Sequence, residues 1–221
     1  MDISEQEVPY MWDELERPWQ KCFQLAWESF RNGSIPIGAV VVNHKGEIIS
    51  EGRSLQYEST GEPGEIYRHK LSHAELNALL KFSEFDHPNI RKYTLYTTLE
   101  PCPLCFGALV MSHVRSLKYA ARDRIAGSVC LAESSDYLRS KNISIEGPFH
   151  ELEEFQMILN TVYELKRNLC SERLLDAWKL DCPAAVKLGT DYYQCGLFDQ
   201  FLKTGAGIEE VFDAVMQPAK S

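Results

Sequence analysis

One segment indicates the fold most clearly. It extends from His73 to Cys105 and has the sequence HAELNALLKFSEFDHPNIRKYTLYTTLEPCPLC. Apolar residues at helical spacing predict a helix over 73–82, with Ser72 as its N-terminal cap. Residues 93–98 alternate and are rich in β-formers, which predicts a strand. The apolar segment 102–113 predicts a second helix. The order helix, strand, helix indicates a sheet with helices packed on it.

The sequence on either side extends this pattern. Asn32-Gly33 ends a first helix, and the turn from Asn43 to Gly46 joins two strands into a hairpin. The sequence therefore predicts an α/β sandwich with a mixed sheet. The further elements are predicted as a helix over 18–31, strands over 37–42, 47–50, 116–121 and 143–145, and helices over 152–163, 174–180 and 208–216.

Two segments have no clear place in that sandwich. The polar loop 53–71 is long for a compact domain, and loops of this length are often functional. The C-terminal segment 168–221 is expected to form a helical cap, although a lid or an assembly surface would fit the same pattern. The cap is expected to bury its aromatic residues against the core, namely Trp178, Tyr192, Tyr193, Phe198 and Phe201.

Composition limits the class of protein. The chain has 221 residues, of which 44% are hydrophobic and 25% charged, which is typical of a globular protein. The net charge of −9 disfavours a polyanionic partner unless basic residues gather on one face. The segment from Met1 to Val8 has no apolar core, and the uncharged run from Pro101 to Val114 is too short to span a bilayer. The sequence therefore predicts a cytoplasmic protein with no membrane contact.

The seven cysteines do not form a disulfide pattern, because their number is odd and the chain is large enough to build its own core. Cys102 and Cys105 stand apart by their spacing. The other five are expected to be free thiols that pack as small apolar side chains: Cys22, Cys130, Cys170, Cys182 and Cys195.

One imidazole and two thiols form a candidate zinc site. A catalytic zinc takes three protein ligands and keeps a fourth position open for water, and His73, Cys102 and Cys105 supply three. Pro101 is expected to open the second helix. The two cysteines would then share its first turn, where the positive end of the helix favours thiolates.

Glu75 is the candidate catalytic residue. Two positions after His73, its carboxylate can lie beside the activated water rather than on the metal. It would take a proton from that water and return protons to a ring nitrogen and to departing ammonia. The combined pattern of His-x-Glu and Pro-Cys-x-x-Cys is the signature of zinc nucleobase deaminases.

Two other interpretations of the cysteine pair remain open. A structural zinc site would need a fourth protein ligand, for which His69, His87 and His113 are candidates. A thioredoxin-like redox pair would leave His73 and Glu75 without a role.

Five segments resemble the cytidine and deoxycytidylate deaminase superfamily, and within it the tRNA-adenosine and guanine deaminase branch. The resemblance spans roughly 18–167 and implies a three-layer α/β/α fold with a five-stranded mixed sheet, bound zinc and a homodimer. The segments are IPIGAV at 35–40, HAE at 73–75, TLEPCPLC at 98–105 with Gly107-Ala108, ARD at 121–123 and, weakly, residues 142–147.

The resemblance implies a deaminase domain, which we expect to span 1–167, and it implies that Ser54, Ala39 and Pro101 contact the substrate. Residues 168–221 lie outside the resemblance and are expected to form a helical extension packed on that domain. Members of this branch usually carry an asparagine where this chain has Ser54, and a hydroxyl forms fewer hydrogen bonds than an amide. The usual substrates are therefore in doubt.

Three functions follow in order of preference. The first is a deaminase of an amino-substituted nucleobase, nucleoside or related small heterocycle. The second is a tRNA-specific adenosine deaminase, for which Arg91-Lys92 and the group Arg115, Lys118, Arg122 and Arg124 would supply positive charge. The third is a binding protein without turnover. We expect Glu58, Glu62 and Glu65 to lie near the pocket mouth, where carboxylates would repel phosphates.

Overall fold

A computed structural model describes residues 11–167 and 172–217. Its five strands form one mixed sheet in the order β2-β1-β3-β4-β5. The first two pairings, β2 with β1 and β1 with β3, are antiparallel, whereas β3, β4 and β5 run parallel. The strands are β1 Gly38–Val42, β2 Ile48–Arg53, β3 Thr94–Leu99, β4 Ser116–Ala121 and β5 Ser144–Glu146.

The helices lie on both faces of the sheet. Among the described residues they are α1 Arg17–Arg31, α2 Ala74–Leu79, α3 Pro103–Met111, α4 Asp136–Arg139, α5 His150–Lys166, α6 Glu172–Asp181, α7 Pro183–Gln194, α8 Leu197–Thr204 and α9 Ile208–Met216. Short 3-10 helices span Trp12–Glu14, Ile90–Lys92 and Val129–Glu133. The expected α/β fold with a five-stranded mixed sheet is confirmed.

The alternation of side chains along β1 separates two hydrophobic cores. Val40 and Val42 face the core formed with α1 and α5. Ala39 and Val41 face the opposite core, formed with α2 and α3. Because successive strand residues point to opposite faces, one five-residue strand contributes to both layers.

The helices α7 to α9 add their apolar faces to the α1 and α5 core. Phe212 packs tilted against Phe155 at 4.7 Å and Phe23 at 6.3 Å between ring centroids. Phe198 and Phe201 are also buried, as expected, but Tyr193 is 39% exposed because it points away from that core. The helix α7 was not anticipated from the sequence.

Helix starts differ from the prediction in two places that matter for the site. Ser72 does not cap α2, because its hydroxyl donates to the carbonyl of Ile66 and accepts from the amide of Leu55 within the preceding loop. Pro103, rather than Pro101, occupies the first turn of α3, and Cys102 takes the N-cap position with an extended backbone. Both metal-ligand candidates His73 and Cys102 are therefore N-cap residues.

The described part of the chain contains no helix that is long and apolar enough to cross a membrane. Residues 1–8 and Cys170, about which the sequence makes predictions, lie outside the described residues.

Candidate active site

The site lies where several strands end at one edge of the sheet. In the parallel pair, Leu99 of β3 is in register with Ala121 of β4, so the segments that follow both strands leave side by side. The antiparallel strands bring the start of β1 and the end of β2 to the same edge. In open α/β sheets, the crevice outside the carboxyl ends of parallel strands is the usual ligand site.

Three candidate metal ligands meet at this edge. The Nδ1 atom of His73 lies 3.5 Å from Sγ of Cys102 and 3.3 Å from Sγ of Cys105. Ligand atoms of all three residues lie within 4.8 Å of one another. Cys105 is fully buried, whereas His73 and Cys102 are half-buried and face a cavity.

The other three histidines with predicted ligand roles lie elsewhere. His69 Nδ1 accepts from the amide of Leu71, His87 contacts the Tyr93 hydroxyl at 3.0 Å, and His113 pairs with Glu84 at 2.7 Å. Within residues 11–167 and 172–217, the metal-ligand cluster has three members. A structural site in which one of these histidines is the fourth ligand therefore has no support from the geometry.

Hydrogen bonding within the cluster shifts the pKa values of the two thiols in opposite directions. Hydrogen bonding to Cys105 and His73 lowers the pKa of Cys102 to about 4. The bond between the two thiols, with burial, raises the pKa of Cys105. The bond to Cys102 raises the pKa of His73. A metal ion would replace these protons, because zinc binds thiolates and neutral imidazole.

Glu75 lies in the first turn of α2 and is 4% exposed. Its Oε2 atom accepts a hydrogen bond from Sγ of Cys105 at 3.4 Å. Burial raises the pKa of Glu75 above its usual range. A buried carboxyl group beside the metal ligands is suited to exchange protons with a reacting group.

These residues open into a cavity of about 230 Å³. Its lining is mainly apolar, with carboxylates and a few neutral polar groups among the side chains. The lining residues are Ile35, Ile37, Ser54, Gln56, His73, Glu75, Leu99, Glu100, Cys102, Asp123, Ile125, Ala126, Asn160, Tyr163, Glu164, Leu174 and Trp178.

The three residues expected to contact substrate differ in position. Ser54 lines the cavity, and its buried Oγ atom has no hydrogen-bond partner within the described chain. Ala39 is buried between strands and Pro101 is buried beneath the site, but neither is among the lining residues. We therefore keep a substrate contact only for Ser54.

The carboxylates expected at the pocket mouth lie elsewhere. Glu58 pairs with Arg53, which also binds Glu28, and Glu65 pairs with Lys81 at 2.7 Å. These contacts, with Glu62, surround a different cavity, because Arg53 and Lys81 draw the loop acids away from the site. From the 53–71 loop, only Ser54 and Gln56 line the candidate site.

Sequence patterns missed the wall formed by α5. Gln156, Asn160 and Glu164 follow one another at four-residue spacing, and the last two line the cavity. Gln156 Nε2 donates to Asn160 Oδ1 at 2.8 Å, so the first two members of the row are hydrogen-bonded to each other. A polar row along the buried face of an amphipathic helix was the signal that could have located this wall.

Residues 13–121 match the family model described as the cytidine and deoxycytidylate deaminase zinc-binding region. A tRNA-specific adenosine deaminase of Haemophilus influenzae is 33% identical over 119 residues, which cover 52% of this chain and 62% of that protein. A tRNA(Ile)-lysidine synthase of Deinococcus radiodurans is 33% identical over 118 residues, which cover 53% of this chain and 19% of that protein. The chain thus spans less than two thirds of either relative.

A crystal structure of NE0047 in complex with 2,6-diaminopurine shares the fold. Its TM-score is 0.52 at 21% identity, and the match covers 76% of this chain and 90% of that one. The family expected from the sequence is confirmed by the match to the family model. Residues 13–121 thus form a zinc-binding region of the cytidine and deoxycytidylate deaminase type.

Proposed function

We propose that the chain is a zinc-dependent hydrolytic deaminase of an amino-substituted nucleobase, nucleoside or related small heterocycle. One observation carries this proposal: His73, Cys102 and Cys105 converge at the wall of a cavity into which the buried Glu75 also opens. The reaction adds water to the ring carbon that bears the amino group. The bond from that carbon to the amino nitrogen breaks, and a carbonyl group and ammonia form.

The donor set suits zinc. One imidazole nitrogen and two sulfurs are the ligands of catalytic zinc sites that keep a fourth position open. His73, Cys102 and Cys105 would hold the ion, which supplies a Lewis acid that makes water acidic enough to attack at neutral pH. Glu75 lies next to these ligands but is not one of them. Its carboxylate therefore remains available to transfer protons.

Glu75 would act first as a base and then as an acid. Its carboxylate takes one proton from the attacking water and delivers it to the ring nitrogen. It then takes the remaining proton from the new hydroxyl group and delivers it to the amino group, which departs as ammonia. Burial supports this double role, because it raises the pKa of Glu75 and so favours the acid form more than an exposed position would. The apolar side chains Ile37 and Leu99 would exclude bulk water from the ring.

The size of the cavity favours a small ring compound. Its volume of about 230 Å³ lies below the ~300–1,000 Å³ of typical small-molecule pockets. Two side chains of α6, Leu174 and Trp178, form part of the wall. An RNA loop would need that side of the site to be open.

Charge also disfavours RNA. Four carboxylates line the cavity: Glu75, Glu100, Asp123 and Glu164. Three of the six basic residues that could attract phosphates are paired, since Arg122 binds Glu153, Arg124 binds Asp181 and Lys118 binds Glu146. Paired charges contribute little to binding a polyanion.

A tRNA-specific adenosine deaminase is the second candidate, because the Haemophilus influenzae relative carries that name. A binding protein without turnover is the third, and the presence of Glu75 beside an intact ligand set disfavours it. A homodimer and a cytoplasmic location, both expected from the sequence, are part of the proposal.

Ammonia release across a panel of substrates tests the function. The zinc-loaded protein is incubated with adenine, guanine, cytosine and their nucleosides, and separately with unmodified tRNA, which is assayed for inosine. We expect ammonia from at least one free base or nucleoside. Inosine in tRNA without turnover of any small compound would reverse the order of the two enzyme candidates, and no product in either arm would favour the binding protein.

A further inference from the structure

Helix α6 lies outside the segment that matches the family, yet it forms part of the cavity wall. Its contribution consists of Leu174 and Trp178, which are four residues apart and so lie on one face of the helix. The substrate cavity is therefore completed by a part of the chain that the family pattern does not specify.

The indole of Trp178 has an unused hydrogen-bond donor. Trp178 is 7% exposed, and within the described chain its buried Nε1 atom has no partner. Trp27 shows the usual arrangement, since its Nε1 donates to the carbonyl of Ala206 at 3.0 Å. Buried polar groups are nearly always paired, so an unpaired indole N–H at a cavity wall indicates a missing ligand atom.

A charged contact fixes α6 to the edge of the site. Nε of Arg124 donates to Oδ2 of Asp181 at 2.7 Å, and Arg122 lies 3.7 Å from the same carboxylate. Arg124 belongs to the segment after β4, whose neighbours Asp123 and Ile125 line the cavity. Because Asp181 lies three residues after Trp178, this pair holds the indole in place over the cavity.

We infer that Trp178 determines substrate specificity by donating its indole N–H to a second acceptor on the substrate ring. The inference rests on the proposed function and narrows it. The substrate is an amino-substituted heteroaromatic ring that also carries an acceptor, either a ring nitrogen or an exocyclic oxygen, on the side that faces α6. The indole is a donor only, so a ring with a hydrogen or an amino group at that point would leave the donor unpaired.

A second unpaired group belongs to the same cavity lining. Ser54, which follows β2, has a buried hydroxyl without a partner in the described chain, and it lines the same cavity. Two residues from distant parts of the sequence, each with an unpaired polar group, thus line one small cavity. Convergent polar groups in a mainly apolar cavity are how small-molecule sites fix the orientation of a ligand.

Equilibrium binding to the zinc-loaded Glu75→Gln protein tests the role of Trp178 without turnover. Titration calorimetry compares this protein with and without Trp178→Phe, which removes the N–H and keeps an aromatic ring. The ligands are the base that the wild-type protein deaminates, and analogues in which one ring nitrogen is replaced by CH or one exocyclic oxygen is removed.

We expect Trp178→Phe to weaken binding of the parent base by about 2- to 10-fold, the scale of one neutral hydrogen bond. One analogue, which lacks the acceptor facing α6, should bind more weakly by a similar factor while Trp178 is present. The Trp178→Phe substitution should then weaken binding of that analogue no further. Such non-additivity identifies a direct contact. Trp27→Phe is the matched control, and it should leave the relative affinities of the ligands unchanged.

A second measurement leaves the native side chain in place. The indole N–H proton of Trp178, assigned by its loss in Trp178→Phe, is followed by NMR as the base is added. A downfield shift is expected for Trp178, with no shift for Trp27. Equal losses for every ligand in the calorimetry, or an indole signal that does not move on saturation, would overturn the inference.

Failure of the proposed function can be distinguished from failure of the role assigned to Trp178. If the wild-type protein releases ammonia from none of the bases or nucleosides, the proposed function fails and takes this inference with it. If it deaminates a base and Trp178→Phe binds that base and all analogues as tightly as the parent protein, only the inference about Trp178 fails.

Discussion

At the scale of single residues, Glu75 has the most demanding position. It is a carboxyl group with 4% exposure, and the side chain that donates a hydrogen bond to it is the Cys105 thiol rather than a lysine or arginine. Burying a carboxylate without a cationic partner is costly, so a purely structural role would give it little advantage over a neutral residue. A role in proton transfer accounts for a buried carboxyl group at this position.

Substitution of Glu75 by Gln should abolish turnover and spare the metal. We expect zinc content to stay near that of the wild type, because the carboxylate is not a ligand. The rate should fall by at least ~10²-fold, the usual scale of general acid–base assistance. Elemental analysis measures the zinc content, and ammonia release measures the rate.

Glu153→Gln is the matched control for that substitution, since Glu153 is 7% exposed and binds Arg122. It should lower thermal stability and leave the rate per folded molecule unchanged. A Glu75→Gln protein that deaminates at the native rate would remove Glu75 from the chemistry.

Two buried serines in and after β2 allow a second test. Ser50 Oγ donates to the carbonyl of Ala78 at 2.8 Å, whereas Ser54 Oγ is buried without a partner in the described chain. Ser50→Ala should therefore lose about 1 kcal/mol of stability, and Ser54→Ala should lose little or none. Substrate affinity should fall only in Ser54→Ala.

Thermal unfolding and KM measured side by side decide the role of Ser54. A Ser54→Ala protein that melts as early as Ser50→Ala and keeps its KM would show that the Ser54 hydroxyl is structural.

The sequence predicts residues of this site to different degrees. His73, Glu75, Cys102 and Cys105 could be selected because metal ligands and their proton partner have strict spacing. Asn160, Glu164 and Trp178 could not, because their helices carry ordinary amphipathic patterns and only the fold brings them to the cavity. Glu58 and Glu65 were expected at the pocket mouth but lie elsewhere, because they form salt bridges with Arg53 and Lys81.

At the scale of elements, the approach of α2 to β2 sets the position of His73 and Glu75. A Cβ atom at Gly52 of β2 would overlap Ala74 O and Ala78 N of α2. Only glycine permits this distance between strand and helix. The metal ligand at the start of α2 thus depends on a residue that never touches the metal.

Gly52→Ala should push α2 off the sheet. We expect a loss of stability of about 1–3 kcal/mol from overpacking, together with reduced zinc affinity. Urea unfolding and a zinc competition assay with a chelator would measure the two effects. If a destabilised Gly52→Ala protein kept its native zinc affinity, the contact between β2 and α2 would not determine zinc binding.

Gly107→Ala is the matched control, because a Cβ atom at Gly107 in α3 meets no atom within 4 Å. A glycine inside a helix costs roughly 0.5–1 kcal/mol relative to alanine, so this substitution should stabilise the protein.

Elements were predicted more reliably than their ends. The strand 116–121 agrees with β4 at both ends, because apolar and polar residues change sharply there. The predicted helix over 73–82 shortens to α2 Ala74–Leu79, because Leu80 is 58% exposed and the chain turns away from the core. The end of a helix depends on contacts with distant segments, which local patterns do not contain.

At the scale of the whole molecule, the C-terminal helices share one core with the sheet. Phe198, Val211, Phe212 and Val215 are buried in the cluster that contains α1 and α5. Trp12 packs on Phe212 at 5.7 Å between ring centroids, so the two ends of the described chain meet. The division into a domain over 1–167 and an extension over 168–221 remains a prediction.

Deletion of residues 168–221 tests that division. The truncated protein would expose the apolar faces of α1 and α5, and we expect it to aggregate or to melt at a lower temperature. Phe212→Ala should reproduce part of the loss, at about 3–5 kcal/mol, whereas Tyr193→Ala on the exposed side of α7 should have little effect. A truncated protein that stays monodisperse and equally stable, but accepts other substrates, would favour a lid over a structural cap.

Zinc content shows whether His73 and Cys102 are metal ligands. The purified wild-type protein should hold about one zinc ion per chain, because three protein ligands form one open site. Elemental analysis should find the same in Glu75→Gln and a large loss in both His73→Ala and Cys102→Ala, with circular dichroism confirming that each variant is folded. Full zinc occupancy in the folded His73→Ala and Cys102→Ala proteins would contradict the ligand assignment and, with it, the proposed chemistry.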